Sequence, residues 1–509
     1  MTGLAVLVAL FAPAGLAAAC LAALGPRPRT LHDWVWLWSC GALVGMVVLG
    51  ACLPRLGLAP QSAFAMLIGP LLFIAFGVWA LAVWRWQREL RLVPPPALGS
   101  VLDQHVPRWH GLLWALLGVQ VLLIIHQALG LPTVPWDAWT TWLARAQAWF
   151  LLNEYRAPAD FAEWLAAPTR TLPVHAPDYP DAVAGIAVWM ASAAGAWHTG
   201  AVHAAWPLAW LATLGALWSG LRRAQLGASL ALAATFAFAS LPMLSAHAAL
   251  AGYADLWICT LVLVAALAMV HGCSGEARPD SWVLAVACLL LMPLVKREGL
   301  VWMLILALAC SYAWSPVKLR RWVFGAAALT AILAVFVLPF WPLRLDLPLL
   351  GPLVIGGGQL QIGSWLSTPL SPYPVLPELA WTLFVLPHWN LLWFALPLLV
   401  IAGRWATPVA ADGARVQRLL WAGSLIGLVF LVLLFGFTDN ARWVQNLTSI
   451  NRILLQWLPL PLLAVVWQWR GWRPRRPHTI TAISPEASAG SGADQSADAR
   501  VAASASASS

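Results

Sequence analysis

Apolar runs of about 20 residues recur along most of the chain, and each is long enough to cross the hydrocarbon core of a bilayer as a helix. Lipid offers no hydrogen bonds, so a spanning segment must pair its own backbone groups, as a helix does. The stretches 3–24, 34–53, 63–84, 110–130, 202–220, 227–247, 253–272, 281–295, 299–314, 321–342, 389–403, 418–437 and 453–469 qualify. The shorter ones can span where the bilayer thins or neighbours shield them. They predict an all-α, polytopic transmembrane protein of about thirteen spans. Composition agrees: 10% of the 509 residues are charged and 61% are hydrophobic, against roughly 25% charged in soluble domains. The seven cysteines lie mostly inside apolar runs, with no spacing that suggests a metal site or a disulfide framework.

The net charge of +9 reads as topology and gives no reason to expect nucleic acid. Short cytoplasmic loops collect lysine and arginine. With the C-terminus inside, Arg470, Arg473, Arg475 and Arg476 follow the last span on that side. Arg404 and Arg415, Lys318 to Arg321, Arg278, Arg222 and Arg223, Arg85 to Arg108, and Arg27 and Arg29 then fall inside as well. If 181–197 crossed the bilayer, one set of these would move outside. That run is therefore predicted to be a re-entrant or surface helix on the outer face, with the N-terminus outside. Residues 343–388 contain Gly356-Gly357-Gly358 and Pro369, Pro372, Pro374 and Pro377, a loop or lid composition rather than a helix. Residues 478–509 are rich in Ala, Ser and Gly and are expected to be disordered.

This topology puts the chemically capable groups on one face. Residues 135–180 carry the densest set. Trp139, Trp142, Ala146 and Trp149 fall at helical spacing, so 138–152 is predicted to be an amphipathic helix lying on the bilayer surface. Asp137 stands at its start, either as an N-cap or as a general base for an acceptor hydroxyl. His175, Asp178 and Tyr179 sit among Pro173, Pro177 and Pro180. The prolines stiffen the backbone for positioned side chains, although a plain interfacial turn anchored by a tyrosine reads the same.

Asp255 sits two residues after Tyr253 in an otherwise apolar run, 250–270, where an unpaired carboxylate costs energy, on the order of 2.5–3.5 kcal/mol at mid-span and less near the end. Either it has a partner or it is an exposed end-of-helix acid. Lys296, Arg297 and Glu298 interrupt the apolar stretch 281–314, placing two cations against the inside bias. A phosphate at headgroup level would explain them, and so would a snorkelling turn. Arg442 and Arg452 flank an ordinary polar outer loop.

In chain order, Trp136-Asp137-Ala138-Trp139, His175-Ala176-Pro177-Asp178-Tyr179-Pro180, Gly252-Tyr253-Ala254-Asp255-Leu256, Lys296-Arg297-Glu298-Gly299-Leu300 and Thr448-Ser449-Ile450-Asn451-Arg452 resemble the blocks of the GT-C superfamily. These are integral-membrane glycosyltransferases, among them protein O-mannosyltransferases and the bacterial enzyme that adds aminoarabinose to lipid A. The likeness covers roughly residues 110–470, a GT-C-like catalytic region with an outer loop at 131–201. Residues 1–109, with three spans, lie outside it, and 471–509 form a basic, then Ala/Ser-rich, cytoplasmic tail.

The resemblance implies a polyprenyl-phosphate-linked sugar donor and a lipid, glycan or protein acceptor. It implies an active site on the periplasmic side of a bacterial inner membrane, among membrane lipids. It implies catalytic positions at Asp137, Asp255, His175 and Asp178. Lys296, Arg297 and Arg452 are implied for the donor phosphate, and a divalent cation bridging Asp137 and Asp255 is compatible with it. No other cofactor is expected. Arg145 and Arg297 depart from the pattern, which has lysine and asparagine there. The competing function classes are a transporter or flippase of lipid-linked saccharide and a non-catalytic envelope-assembly protein. Transporters favour ionisable groups at mid-bilayer and internal repeats, and neither is read here.

Overall fold

The computed structural model describes residues 2–92, 107–273, 279–322, 343–347, 351–356, 358–363, 366–403 and 411–470. The expected span at 321–342, apart from its first two residues, and the expected disordered tail at 478–509 lie outside the described residues.

The apolar runs are helices. In the first half of the chain these are α1 (Thr2–Leu24), α2 (Leu31–Cys52), α3 (Ala63–Leu92), α4 (Trp109–Gly130), α5 (Leu143–Leu152), α6 (Phe161–Ala166), α7 (Ala182–Ala194), α8 (Thr199–His203) and α9 (Ala205–Arg223). Then follow α10 (Ala228–Ala239), α11 (Pro242–Ala249), α12 (Asp255–Cys273), α13 (Pro279–Val295) and α14 (Glu298–Trp314). The last six are α15 (Leu376–Phe384), α16 (Leu392–Ala402), α17 (Ala411–Phe437), α18 (Ala441–Gln445), α19 (Ser449–Trp457) and α20 (Pro459–Gln468).

Among the described residues, eight helical segments are long and apolar enough to cross a membrane, or nine if α10 and α11, bent by 64°, count as one broken span. Three further helices that were expected to span, α13, α14 and α16, have 17, 17 and 11 residues, short of the ~20 that a full crossing needs. The architecture is thus a polytopic bundle of apolar helices.

The innermost element is α12. Almost every residue of it is buried, against α9, α13 and α19. At about 1.5 Å per residue it is roughly 28 Å long, and its two ends meet different chemistry. At its C-terminal end, His271 Nε2 bonds to Gly220 O (2.9 Å) and its ring meets Trp36 edge-on. Nearby Arg223 Nη1 donates to Asp33 Oδ1 (2.6 Å). Asp33 also closes a capping box with Thr30 at the start of α2, satisfying backbone donors that a helix start leaves open. Arg85 donates to the carbonyls of Ala23 and Gly25. Arginines assigned to one side by charge bias thus gather at one end of α12. The candidate chemical groups gather at the other.

Small residues set the closest helix crossings. A Cβ placed on Gly185 of α7 would lie 2.0 Å from the carbonyl oxygen of Gly50 in α2, and one on Gly45 would lie 2.1 Å from that of Pro13 in α1. Glycine at such points lets backbones touch, as helix packing in lipid favours.

Three expectations are corrected. The run 181–197 is helical as α7, and of the two expected forms, re-entrant or surface helix, the surface one is overturned: Ala182 through Ala193 are all buried, and α1, α2, α3 and α5 pack around it. At 13 residues it is too short to cross and is enclosed by protein. The stretch 138–152 is helical, opening as a π-turn over Ala138–Trp142 before α5. However, Trp142, Ala146 and Trp149 are buried against protein rather than laid on lipid, and Trp139 alone of the four is exposed.

The third correction concerns 343–388. It folds rather than loops: β3 (Leu343–Leu347), β4 (Gly351–Gly356), β5 (Gln359–Ile362) and β6 (Leu366–Pro369) form an antiparallel sheet in that order, and α15 follows. Two shorter strands, β1 (Ala157–Ala159) and β2 (Thr171–Pro173), pair in parallel within the outer loop.

Candidate active site

The Gly252–Asp255 turn builds the floor of the site. Gly252 holds φ at +114°, and a Cβ there would lie 2.3 Å from that of Ala138. Glycine is required on both counts. The turn thereby seats the start of α12 beside Asp137. Asp255 follows as the first residue of α12 and is 0% exposed. Its Oδ1 accepts from Lys296 Nζ (2.9 Å) and from Gln456 Nε2, and its Oδ2 accepts from Arg452 Nε (2.9 Å). Gln456 is held in turn by Trp302 Nε1, which donates to its Oε1 (2.7 Å). A carboxylate stripped of water is tolerable only when paired in this way.

Arg452 links the two aspartates. Its Nη2 donates to Asp137 Oδ2 as well as lying 2.8 Å from Asp255 Oδ2. Asp137 is 27% exposed at its side chain, and among the described residues no hydrogen bond reaches its Oδ1. It makes no capping bond to the helix that follows, so the N-cap alternative is not what the side chain does. Lys296 sits between α13 and α14, with its ammonium also 3.1 Å from Glu298 Oε1. Burial pulls its pKa down, but the carboxylates of Asp255 and Glu298 outweigh burial and hold it above the ordinary lysine value.

The outer loop closes around Arg145. This guanidinium is fully buried. Nη1 donates to Tyr179 O and Asp181 Oδ1 (both 2.8 Å), and Nη2 donates to Pro177 O (3.2 Å) and Ala176 O (3.3 Å). Burial lowers its pKa from the usual arginine value, and Asp181 opposes that. The wrapped loop delivers Tyr179, whose ring lies 4.8 Å from that of Trp142 and 5.9 Å from Lys296 Nζ. Burial raises the Tyr179 phenol to about 12.

The remaining expected residues lie further out. Asp178 and Arg297 bond to each other (2.8 Å) and are 66% and 54% exposed. His175 is exposed; its backbone N–H donates to Thr140 O (3.1 Å), and its ring meets Trp136 edge-on at 6.4 Å.

Asp137, Arg452, Asp255, Lys296 and Glu298 thus form one chain of alternating charge, three carboxylates against two cations, joining four distant parts of the sequence. The divalent cation considered between Asp137 and Asp255 does not fit this arrangement, because the Arg452 guanidinium already occupies an oxygen of each carboxylate. Among the described residues no group of three or more His, Cys, Asp or Glu side chains converges as a metal site would need.

Sequence reading passed over Gln456 and Trp302, and gave Glu298 and Arg145 no role. Gln456 lies one helical turn after Arg452 on α19, a spacing that places both on one face. Nothing in the chain marks which face meets Asp255. No family model, curated protein or solved structure matches this chain.

Proposed function

We propose that the chain is a membrane glycosyltransferase of the GT-C kind. It moves a sugar from a polyprenyl-phosphate-linked donor to a hydroxyl of a lipid, glycan or protein acceptor. The reading includes about thirteen spans, residence in a bacterial inner membrane, and a site on the periplasmic side. The observation that supports it most is the convergence of Asp137, Asp255, Lys296 and Arg452 at one end of α12, in a chain that is only 10% charged.

The transfer is a displacement at the anomeric carbon. The acceptor oxygen bonds to that carbon as the carbon–oxygen bond to phosphate breaks, and the electron pair leaves with the phosphate. Asp137, the partly exposed carboxylate, takes the acceptor proton. Arg297 and Arg452 stabilise the departing phosphate. Arg297 is the accessible cation, and its exposed pairing with Asp178 is weak enough, about 0–1 kcal/mol, for an anion to displace it. Lys296 and Asp255 are too enclosed to touch substrate and act through Arg452. Incubating membranes that contain the parent or Asp137→Asn with labelled polyprenyl-phosphate sugars tests this. Transfer is expected with the parent and not the variant, and equal transfer by both would remove Asp137 from the mechanism.

A further inference from the structure

Tyr253 and His247 form a stack behind the central guanidinium. The guanidinium carbon of Arg452 lies 5.1 Å from the Tyr253 ring centroid. On that ring the His247 imidazole packs at 4.3 Å with an interplanar angle of 31°. Both supports are fixed from elsewhere. The Tyr253 carbonyl accepts from Trp206 Nε1 (2.9 Å), and His247 Nδ1 donates to Met243 O (2.8 Å). His247 is 2% exposed and its Nε2 has no partner. Its ring is therefore held for its face, not for a hydrogen bond on that nitrogen.

The bend between α10 and α11 brings His247 there. Met243 N–H donates to His388 O (3.1 Å), and Asn390 Nδ2 donates to Ser240 O (3.0 Å), so the break is tied down on its far side.

We infer that Tyr253, backed by His247, is a positioning residue that fixes the Arg452 guanidinium between Asp137 and Asp255. A cation over an aromatic face is attracted by the ring quadrupole, more strongly where water is excluded. This gives the aromatic ring that stands two residues before Asp255 a task that any phenyl or phenol face can perform. The inference deepens the glycosyltransferase reading and rests on it only for its consequence in catalysis.

The test compares the parent with Tyr253→Phe and Tyr253→Leu in detergent. Each protein is first checked for an unchanged elution profile and melting temperature. Arg452 modification by phenylglyoxal is then followed by mass spectrometry of the peptide that carries it. Tyr253→Phe keeps the ring and is expected to modify at the parental rate. Tyr253→Leu is expected to modify about tenfold faster, the scale a desolvated cation–π contact commands. An unchanged rate in Tyr253→Leu overturns the inference.

If Tyr253→Leu does not assemble, His247→Ala decides instead. It loosens the ring without removing it, so faster modification supports the stack and parental modification overturns it. In the transfer assay, Tyr253→Leu is expected to lower kcat with KM little changed, and Tyr253→Phe to restore most of the loss. A parent that transfers nothing would refute the glycosyltransferase reading, while the modification rates would still decide the role of Tyr253.

Discussion

Asp137 and Asp255 share one arginine, yet removing each should have a different consequence. Asp255 is fully enclosed and balances both Lys296 and Arg452. Asp255→Asn takes away the enclosed carboxylate that Lys296 and Arg452 share, leaving each with one carboxylate partner, and breaking a buried pair costs about 3–5 kcal/mol. A clear fall in melting temperature in detergent is therefore expected, and an unchanged value would contradict the buried pairing. Asp137 is partly exposed and caps nothing. Asp137→Asn is expected to insert and melt like the parent while transfer falls at least ~100-fold, the low end of general-base contributions. A variant within a few-fold of parental activity would rule out the base. That these residues matter was legible from their expense: an acid at Asp255 in an apolar run demands a partner. The partner was not legible, because Arg452 lies 197 residues from Asp255 and 315 from Asp137 along the chain. Local spacing rules reach only one helical turn.

At the scale of elements, run length revealed the helices but could not say what each faces. An apolar residue reads the same against lipid as against protein, which is why the Trp142–Trp149 face was placed on the bilayer; the loop arginines kept 181–197 from crossing but left both a re-entrant and a surface helix open. Their burial depends on tertiary neighbours. The close contact of Gly185 with Gly50 is the sharpest test of that burial. Gly185→Leu cannot be seated without parting α2 from α7, and overpacking costs typically 1–3 kcal/mol or more. The variant is expected to be recovered in poor yield or with a lowered melting temperature, while Gly69→Leu, where a Cβ meets nothing within 4 Å, should behave as the parent. Equal stability of the two would mean that α7 does not dock as described. The strands β3–β6 were missed for another reason. Leu343-Arg344-Leu345-Asp346-Leu347 alternates with the period of a strand, but the glycines and prolines further along outweighed that signal.

At the scale of the whole molecule, α12 separates two charged ends, with Arg223 near one and Lys296 and Arg452 at the other. In a cysteine-free background, a cysteine placed at Gln225, beside Arg222 and Arg223, is expected to be shielded from a membrane-impermeant thiol reagent in intact cells. One placed at Asp178 is expected to react. Labelling at Gln225 would reverse or break the proposed topology. The apolar class of the protein was readable because it follows from one-dimensional patterns of charge and hydropathy. The assembled charge chain was not, because it depends on how α12, α19 and the α13–α14 turn meet.

The central claim is that the Asp137–Arg452–Asp255 cluster transfers a sugar, and mass analysis of envelope lipids and glycans tests it most directly. Cells with the parent, without the protein, and with Asp137→Asn expressed at parental level are compared. The expected result is a single sugar-mass increment on one acceptor class in the parent alone, with the sugar-loaded polyprenyl phosphate accumulating in the other two. Indistinguishable profiles in all three strains would contradict it.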